Sequence, residues 1–217
     1  MLVMVVDTAT AAVTAALARV GDDEVTLLAE RVTIDARGAG ELLAPQIAAV
    51  LAEGGVAAGD LTAVVAGLGP GPFTGLRAGL VTATAMGHAL SVPVYGVCTL
   101  DAIGLRLSGR ALVATDARRK EIYWAVYRDG QRLAGPDVAR PAAVALDGIE
   151  RAAGDGALKY ADVLGLPVEG PSYPSALALT ELAAERVRAK APGETLTPLY
   201  LRRPDAVLPG ERKPALQ

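Results

Sequence analysis

Two short stretches of this 217-residue chain hold residue types that could handle an anion. The first is Gly67-Leu68-Gly69-Pro70-Gly71-Pro72-Phe73-Thr74-Gly75-Leu76-Arg77. Its glycines allow backbone turns that other residues resist, and a helix starting behind them would offer free amide N–H groups to a phosphate. No Gly-Lys-Ser/Thr ending follows, so no lysine is placed against the outer phosphates of a nucleotide. A structural turn and an anion-binding turn both account for the segment. The second stretch is Asp7-Thr8-Ala9-Thr10, whose carboxylate and hydroxyls could hold hydrated magnesium or phosphate, or could close an Asx-type turn. Asp116 supplies a second carboxylate, with Arg118 and Arg119 beside it. The candidate phosphate cleft therefore comprises Asp7, Thr8, Thr10, Gly69, Gly71, Thr74, Asp116 and Arg118.

Other chemistries are poorly supplied. His88 is the only histidine and Cys98 the only cysteine, so no metal site is expected. A Ser-His-Asp hydrolase would need His88 in a cleft, yet it falls near the end of a helical stretch with no serine nucleophile motif around it. Cys98 lies in an apolar run and reads as a small buried hydrophobe; a single cysteine forms no internal disulfide, which fits a reducing compartment. The formal charge of -3 sets up no basic field for a phosphate backbone, and 4% aromatic residues leave little for base stacking. Strong direct nucleic-acid binding is not expected. The first acidic residue, Asp7, comes after six residues, without the basic start and long apolar segment of a signal peptide. No apolar run is long enough to cross a bilayer. A soluble cytoplasmic protein is expected.

The elements that must position these residues follow from the hydrophobic pattern. Residues 2–6 form an apolar run ending at Asp7, and residues 11–20 and 25–34 read as further strands. Leu42, Leu43, Ile47, Val50 and Leu51 recur at helical spacing over residues 41–53, and Gly54-Gly55 ends that helix. A buried strand over residues 62–68, the Gly/Pro turn, a long helix over 74–90 and a strand over 93–97 make a β-α-β unit. Strands over 111–115 and 121–127 and a helix over 175–190 follow. Pro198, Pro204, Pro209 and Pro214 predict an extended tail.

The chain also repeats itself. A shift of 109 positions superposes Asp7 on Asp116, Ala16 on Ala125, Arg19 on Arg128 and Gly21 on Gly130. Both copies read strand, Asp turn, strand, Gly turn, which reports a duplicated unit. Two α/β lobes are expected, residues 1–100 and 101–217, with each aspartate facing the cleft between them. That arrangement matches the duplicated ribonuclease-H-like fold of the actin, sugar kinase and Hsp70 superfamily.

The second long helix carries a different signal. Gly75, Gly79, Ala83 and Gly87 recur every four residues, and each interior glycine costs roughly 0.5–1 kcal/mol relative to alanine. Such a stripe implies close approach of another element, either the chain's own sheet or a second subunit.

Taken in order, Asp7-Thr8-Ala9-Thr10, Gly69-Pro70-Gly71-Pro72-Phe73-Thr74-Gly75-Leu76-Arg77, Gly96-Val97-Cys98-Thr99-Leu100, Asp116-Ala117-Arg118 with Glu121-Ile122-Tyr123-Trp124, and Pro198-Leu199-Tyr200-Leu201-Arg202 resemble the TsaB/YeaZ family over nearly the whole chain. The resemblance implies a non-catalytic subunit that supports a TsaD-type enzyme in making N6-threonylcarbamoyladenosine on tRNA, together with a small TsaE-type ATPase. It implies a heterodimer, or a homodimer without TsaD, formed through the first two helices, here Leu42, Leu43, Gln46, Val50, Gly75, Gly79, Ala83 and Gly87. No cofactor is required on this reading, and at most weak nucleotide binding is expected. Ala39 stands where relatives often carry a histidine, a lost ligand that favours a scaffold, and Pro72 stands where they carry a small residue such as serine, which stiffens the loop against tight phosphate cradling. The alternative is a small kinase or ATPase of the same superfamily, using Asp7, Asp116 and the glycine loop.

Overall fold

The computed structural model describes residues 1–202. Its first sheet has the order β3-β2-β1-β4-β5, built from β1 (Leu2–Asp7), β2 (Ala12–Val20), β3 (Val25–Ile34), β4 (Ala63–Gly67) and β5 (Val94–Val97). β1 pairs antiparallel with β2 and parallel with β4. A central strand covered on both faces must be apolar throughout, which is why residues 3–6 are all fully buried. Their alternation sorts the two faces. Met4 and Val6 meet Leu43, Ile47 and Val50 of α1 (Ala39–Glu53) and Leu76 and Leu80 of α2 (Phe73–Leu90). Val3 and Val5 meet Leu179, Ala183 and Val187 of the last helix.

The second sheet has the order β8-β7-β6-β9, from β6 (Arg110–Asp116), β7 (Ile122–Arg128), β8 (Gln131–Ala139) and β9 (Arg151–Ala153). It copies the first sheet without a fifth strand: β6 pairs antiparallel with β7 and parallel with β9, as β1 does with β2 and β4. Between β8 and β9 a single 3-10 turn at Pro141–Ala143 replaces a counterpart of α1. The short α3 (Thr99–Gly104) joins the lobes, with Leu100 and Ile103 buried against Val113, Ala125 and Tyr127 of the second sheet. α4 (Asp155–Lys159) and α5 (Ala161–Leu164) complete the second lobe.

One expectation needs correction. α6 (Ala176–Arg188), assigned by sequence position to the lobe over 101–217, packs beneath the first sheet. Its apolar face is complementary to the face of β1, β2 and β4 that α1 and α2 leave bare, so the chain returns to the first lobe. Among the described residues no helix is long and apolar enough to cross a membrane. The part of the extended tail expected at Pro204, Pro209 and Pro214 lies outside the described residues.

Candidate functional site

β1 ends at Asp7, and the chain turns there beneath the start of α2. The Asp7 carboxylate is fully buried. Its Oδ1 accepts the Ala9 amide at 2.9 Å and its Oδ2 accepts the Thr99 hydroxyl at 2.6 Å. The Thr99 Oγ1 in turn accepts the Gly69 amide at 3.2 Å, so the end of β1, the glycine loop and the start of α3 share one knot. Burial pushes Asp7 up to about 6, against the opposing pull of the Thr99 and Ala9 hydrogen bonds. Gly67 has room for no side chain here, since a Cβ would lie 1.7 Å from Asp7 Oδ2.

The loop is packed as tightly. A Cβ on Gly71 would fall 2.1 Å from the Ala9 carbonyl oxygen. Thr8 donates its hydroxyl to the Gly75 carbonyl at 2.7 Å and accepts the Gly79 amide at 3.1 Å, docking α2 on the β1 turn. On the other lobe, Asp116 Oδ2 accepts Lys159 Nζ at 2.9 Å, and its Oδ1 accepts the Arg118 amide at 3.2 Å. Asp155 accepts the Asp116 amide at 3.2 Å, and burial raises the Asp155 carboxyl above its ordinary range. Because half of the Lys159 side chain is exposed, its ion pair adds little: Lys159→Met is expected to change unfolding free energy by less than about 1 kcal/mol in urea titrations.

Between the lobes lies a cavity of about 140 Å³, lined by Thr8, Thr10, Ala11, Asp35, Ala36, Ala39, Pro72, Gly75, Asp116, Arg118 and Asp155. Of the predicted cleft residues, Thr8, Thr10, Asp116 and Arg118 meet there; Asp7, Gly69, Gly71 and Thr74 do not. Asp7 therefore does not face the cleft as expected. It is sealed behind the loop, with one carboxylate oxygen accepting from Ala9 and the other from Thr99, and with Gly67 packed against it. Pockets that take organic ligands usually have about 300–1,000 Å³. Neither the volume nor a carboxylate with both oxygens engaged fits a magnesium-bound nucleotide. Among the described residues, no group of three or more His, Cys, Asp or Glu side chains converges as metal ligands would. Cys98 is buried, and desolvation pushes its thiol up to about 11, away from any nucleophilic role. His88 is exposed in the last turn of α2.

The helix pair also differs from expectation. Leu43, Gln46, Val50, Gly79, Ala83 and Gly87, all implied as pairing residues, are buried by the chain itself, whereas Leu42 and Gly75 are half-buried. A Cβ at Gly79 would lie 2.3 Å from Thr8 Oγ1, and one at Gly87 would lie 2.2 Å from Val94. The glycine stripe thus admits the chain's own β1 turn and β5. The outward faces carry other residues: Ala44, Pro45, Ala48 and Ala52 on α1, and Phe73, Arg77, Val81, Thr84 and Ala85 on α2. Val81 is 65% exposed and Phe73 54%. Thr99, Lys159, Asp155 and Asp35 are not among the residues expected from sequence. Thr99 had one signal, a hydroxyl just after a buried strand. Lys159 and Asp155 had none, because only the pairing of β9 with β6 brings α4 to Asp116.

Comparison with known proteins adds to this geometry. Residues 32–200 match the family model described as TsaD, tRNA N6-adenosine threonylcarbamoyltransferase. An uncharacterized protein of Mycobacterium leprae is 49% identical over 205 residues; the match covers 94% of this chain but only 56% of that protein. The Escherichia coli tRNA threonylcarbamoyladenosine biosynthesis protein TsaB is 37% identical over 89 residues, 39% of this chain and 38% of that one. The solved structure of YeaZ from Pseudomonas aeruginosa superposes with a TM-score of 0.76 at 26% identity, covering 92% of this chain and 99% of that one.

Proposed function

We propose, since the chain belongs to the TsaD family on its TsaB/YeaZ side, that it is a non-catalytic partner subunit of a TsaD-type enzyme in threonylcarbamoyladenosine biosynthesis on tRNA. One observation carries the reading: the Asp7 carboxylate is sealed against Thr99 behind the glycine loop and only a small cavity remains between the lobes, while α1 and α2 turn outward a face rich in Ala44, Pro45, Ala48, Ala52, Phe73 and Val81. A subunit of this kind needs no cofactor of its own. It presents α1 and α2 to the enzyme, holds it in its active arrangement, and helps form the surface where a TsaE-type ATPase docks. A homodimer through the same helices would compete with that complex. The outer apolar residues supply the contact, and the buried stripe keeps the two helices close to the sheet beneath them.

Reconstitution tests this directly. The chain alone is expected to transfer no threonylcarbamoyl group to tRNA, to co-purify with a TsaD-type protein, and to raise that protein's activity. Transfer by the chain alone, or a lack of complex, would overturn the reading. A surface variant sharpens the test. Val81→Asp, on the outward face of α2, is expected to leave the unfolding midpoint nearly unchanged and to weaken the complex about tenfold or more, through a desolvated charge in the contact. Titration calorimetry with the partner measures the effect.

A further inference from the structure

The segment after α6 is not a loose end. It runs along β5, the edge of the first sheet, where the Glu194 amide donates to the Val94 carbonyl at 2.9 Å and the Glu194 carboxylate accepts the Gly96 amide at 3.1 Å. Further on, the Leu199 amide donates to the Leu68 carbonyl at 2.9 Å, while the Leu199 side chain packs against the cluster of Cys98, Leu100 and Val113 that joins α3 to the second sheet. Tyr200 then stacks on Phe73 at the start of α2, with ring centroids 5.3 Å apart. Arg77 lies 4.1 Å over the same Phe73 ring, and its Nε donates to the Tyr200 hydroxyl at 2.9 Å. Arg202 crosses to the second lobe, where its guanidinium meets the Glu121 carboxylate and the Arg118 carbonyl. The Arg118 guanidinium bridges back to the Ala36 carbonyl of the first lobe at 3.3 Å.

We infer that residues 199–202 are an interlobe clasp, which sets the angle between the two sheets and ties it to the start of α2. Besides α3, whose Leu100 and Ile103 pack on the second sheet and whose Ala102 packs in the cluster of α6, and the Tyr123 hydroxyl, which donates to the Gly71 carbonyl, the lobes meet across a cleft holding a cavity. A stack and a half-buried ion pair at the surface are each modest on their own. Here they act on opposite sides of the cleft through four consecutive residues, so losing either one frees the segment that bears both. Arg118, Arg119 and Lys120 all take positive φ (63, 52 and 64°), a costly run for side-chain-bearing residues, at the hairpin the clasp holds. A surface that engages Phe73 or Arg77 would therefore act on the lobe angle through Tyr200. The clasp is independent of which partner binds there.

Spin labels at Ala52→Cys on α1 and Leu158→Cys on α4, both exposed, report the interlobe distance by pulsed electron resonance in a Cys98→Ala background. One narrow distribution is expected for the otherwise native chain. Tyr200→Ala and Arg202→Ala are expected to broaden it, with circular dichroism and cooperative unfolding showing that both variants remain folded. Tyr200→Phe keeps the stack and is expected to keep the narrow distribution. If Tyr200→Ala and Arg202→Ala both retain the native distribution, the clasp does not set the lobe angle and the inference falls.

Discussion

Replacing Gly79 by leucine is expected to lower the unfolding free energy by on the order of 4 kcal/mol, a large part of what a domain of this size has. The reason is local and double. The first added carbon would lie 2.3 Å from Thr8 Oγ1, so α2 must move away from the β1 turn. In moving it would break both Thr8 bonds, to the Gly75 carbonyl and from the Gly79 amide. Thr8→Val removes the bonds while keeping the volume, and is expected to cost about 1–3 kcal/mol, from the two hydrogen bonds that dock α2 on the β1 turn. The gap between the two variants is the steric part. Urea denaturation of the native chain and both variants measures it. A Gly79→Leu midpoint equal to that of the native chain would mean that α2 does not seat on Thr8. The contrast with Val81→Asp, two residues away on the same helix, separates the face that folds the chain from the face available to a partner.

The second large effect concerns Asp7. Its carboxyl titrates at about 6 in the folded chain against 3.8 in the unfolded one, because burial penalises the charge more than Thr99 and Ala9 compensate. Between those values the folded chain holds more proton than the unfolded chain. Its contribution to stability is therefore fully present below the unfolded value and is lost as pH rises through about 6, a fall of roughly 3 kcal/mol. Asp7→Asn carries no charge, keeps an oxygen for the Ala9 amide, and turns its amide group toward Thr99. It is expected to flatten the stability profile between pH 4 and pH 6 and to be the more stable protein at pH 8, by up to about 3 kcal/mol. Parallel profiles for the two proteins would show that Asp7 is not the group responsible. Since Asp7 is buried inside the chain, away from the outward faces of α1 and α2, the variant should still bind its partner. Undiminished support of the partner's threonylcarbamoyl transfer by Asp7→Asn distinguishes a scaffold from an enzyme that needs this carboxylate.

Much of the architecture was readable in the sequence, for identifiable reasons. β1, β2, α1, α2 and α6 are strongly patterned, and their apolar residues match the faces they bury, whereas β3 was readable from its β-branched residues although only Ala29 of it is buried. The 109-residue repeat foretold the common strand order of the two sheets because each copy retains its Asp turn and its hairpin. β8 escaped notice because it is a largely exposed edge strand interrupted by Gly135-Pro136, with no buried face to impose alternation. β9 has three residues and α3 six, too few for a period to show. The glycine stripe was legible as a demand for close approach, but not as to what approaches. Thr8 and Gly79 are 71 positions apart, and only the packing of α2 on the β1 turn puts them in contact; Gly87 meets Val94 where the chain turns back from α2 into β5.

By itself, then, the sequence determined the two-lobe α/β core, the sharp turns at Asp7 and Gly69–Gly71, and the lack of a histidine or cysteine set for metal or nucleophilic chemistry, since these depend on local residue types and short spacings. The tertiary structure alone decided which face of each helix is spent on the core. It also decided that Asp7 is sealed by Thr99, that Asp116 is held by Lys159, that α6 returns to the first sheet, and that the last described residues reach across the cleft. Each of these joins positions distant in sequence, and their meeting depends on how the sheets and helices pack rather than on any local pattern.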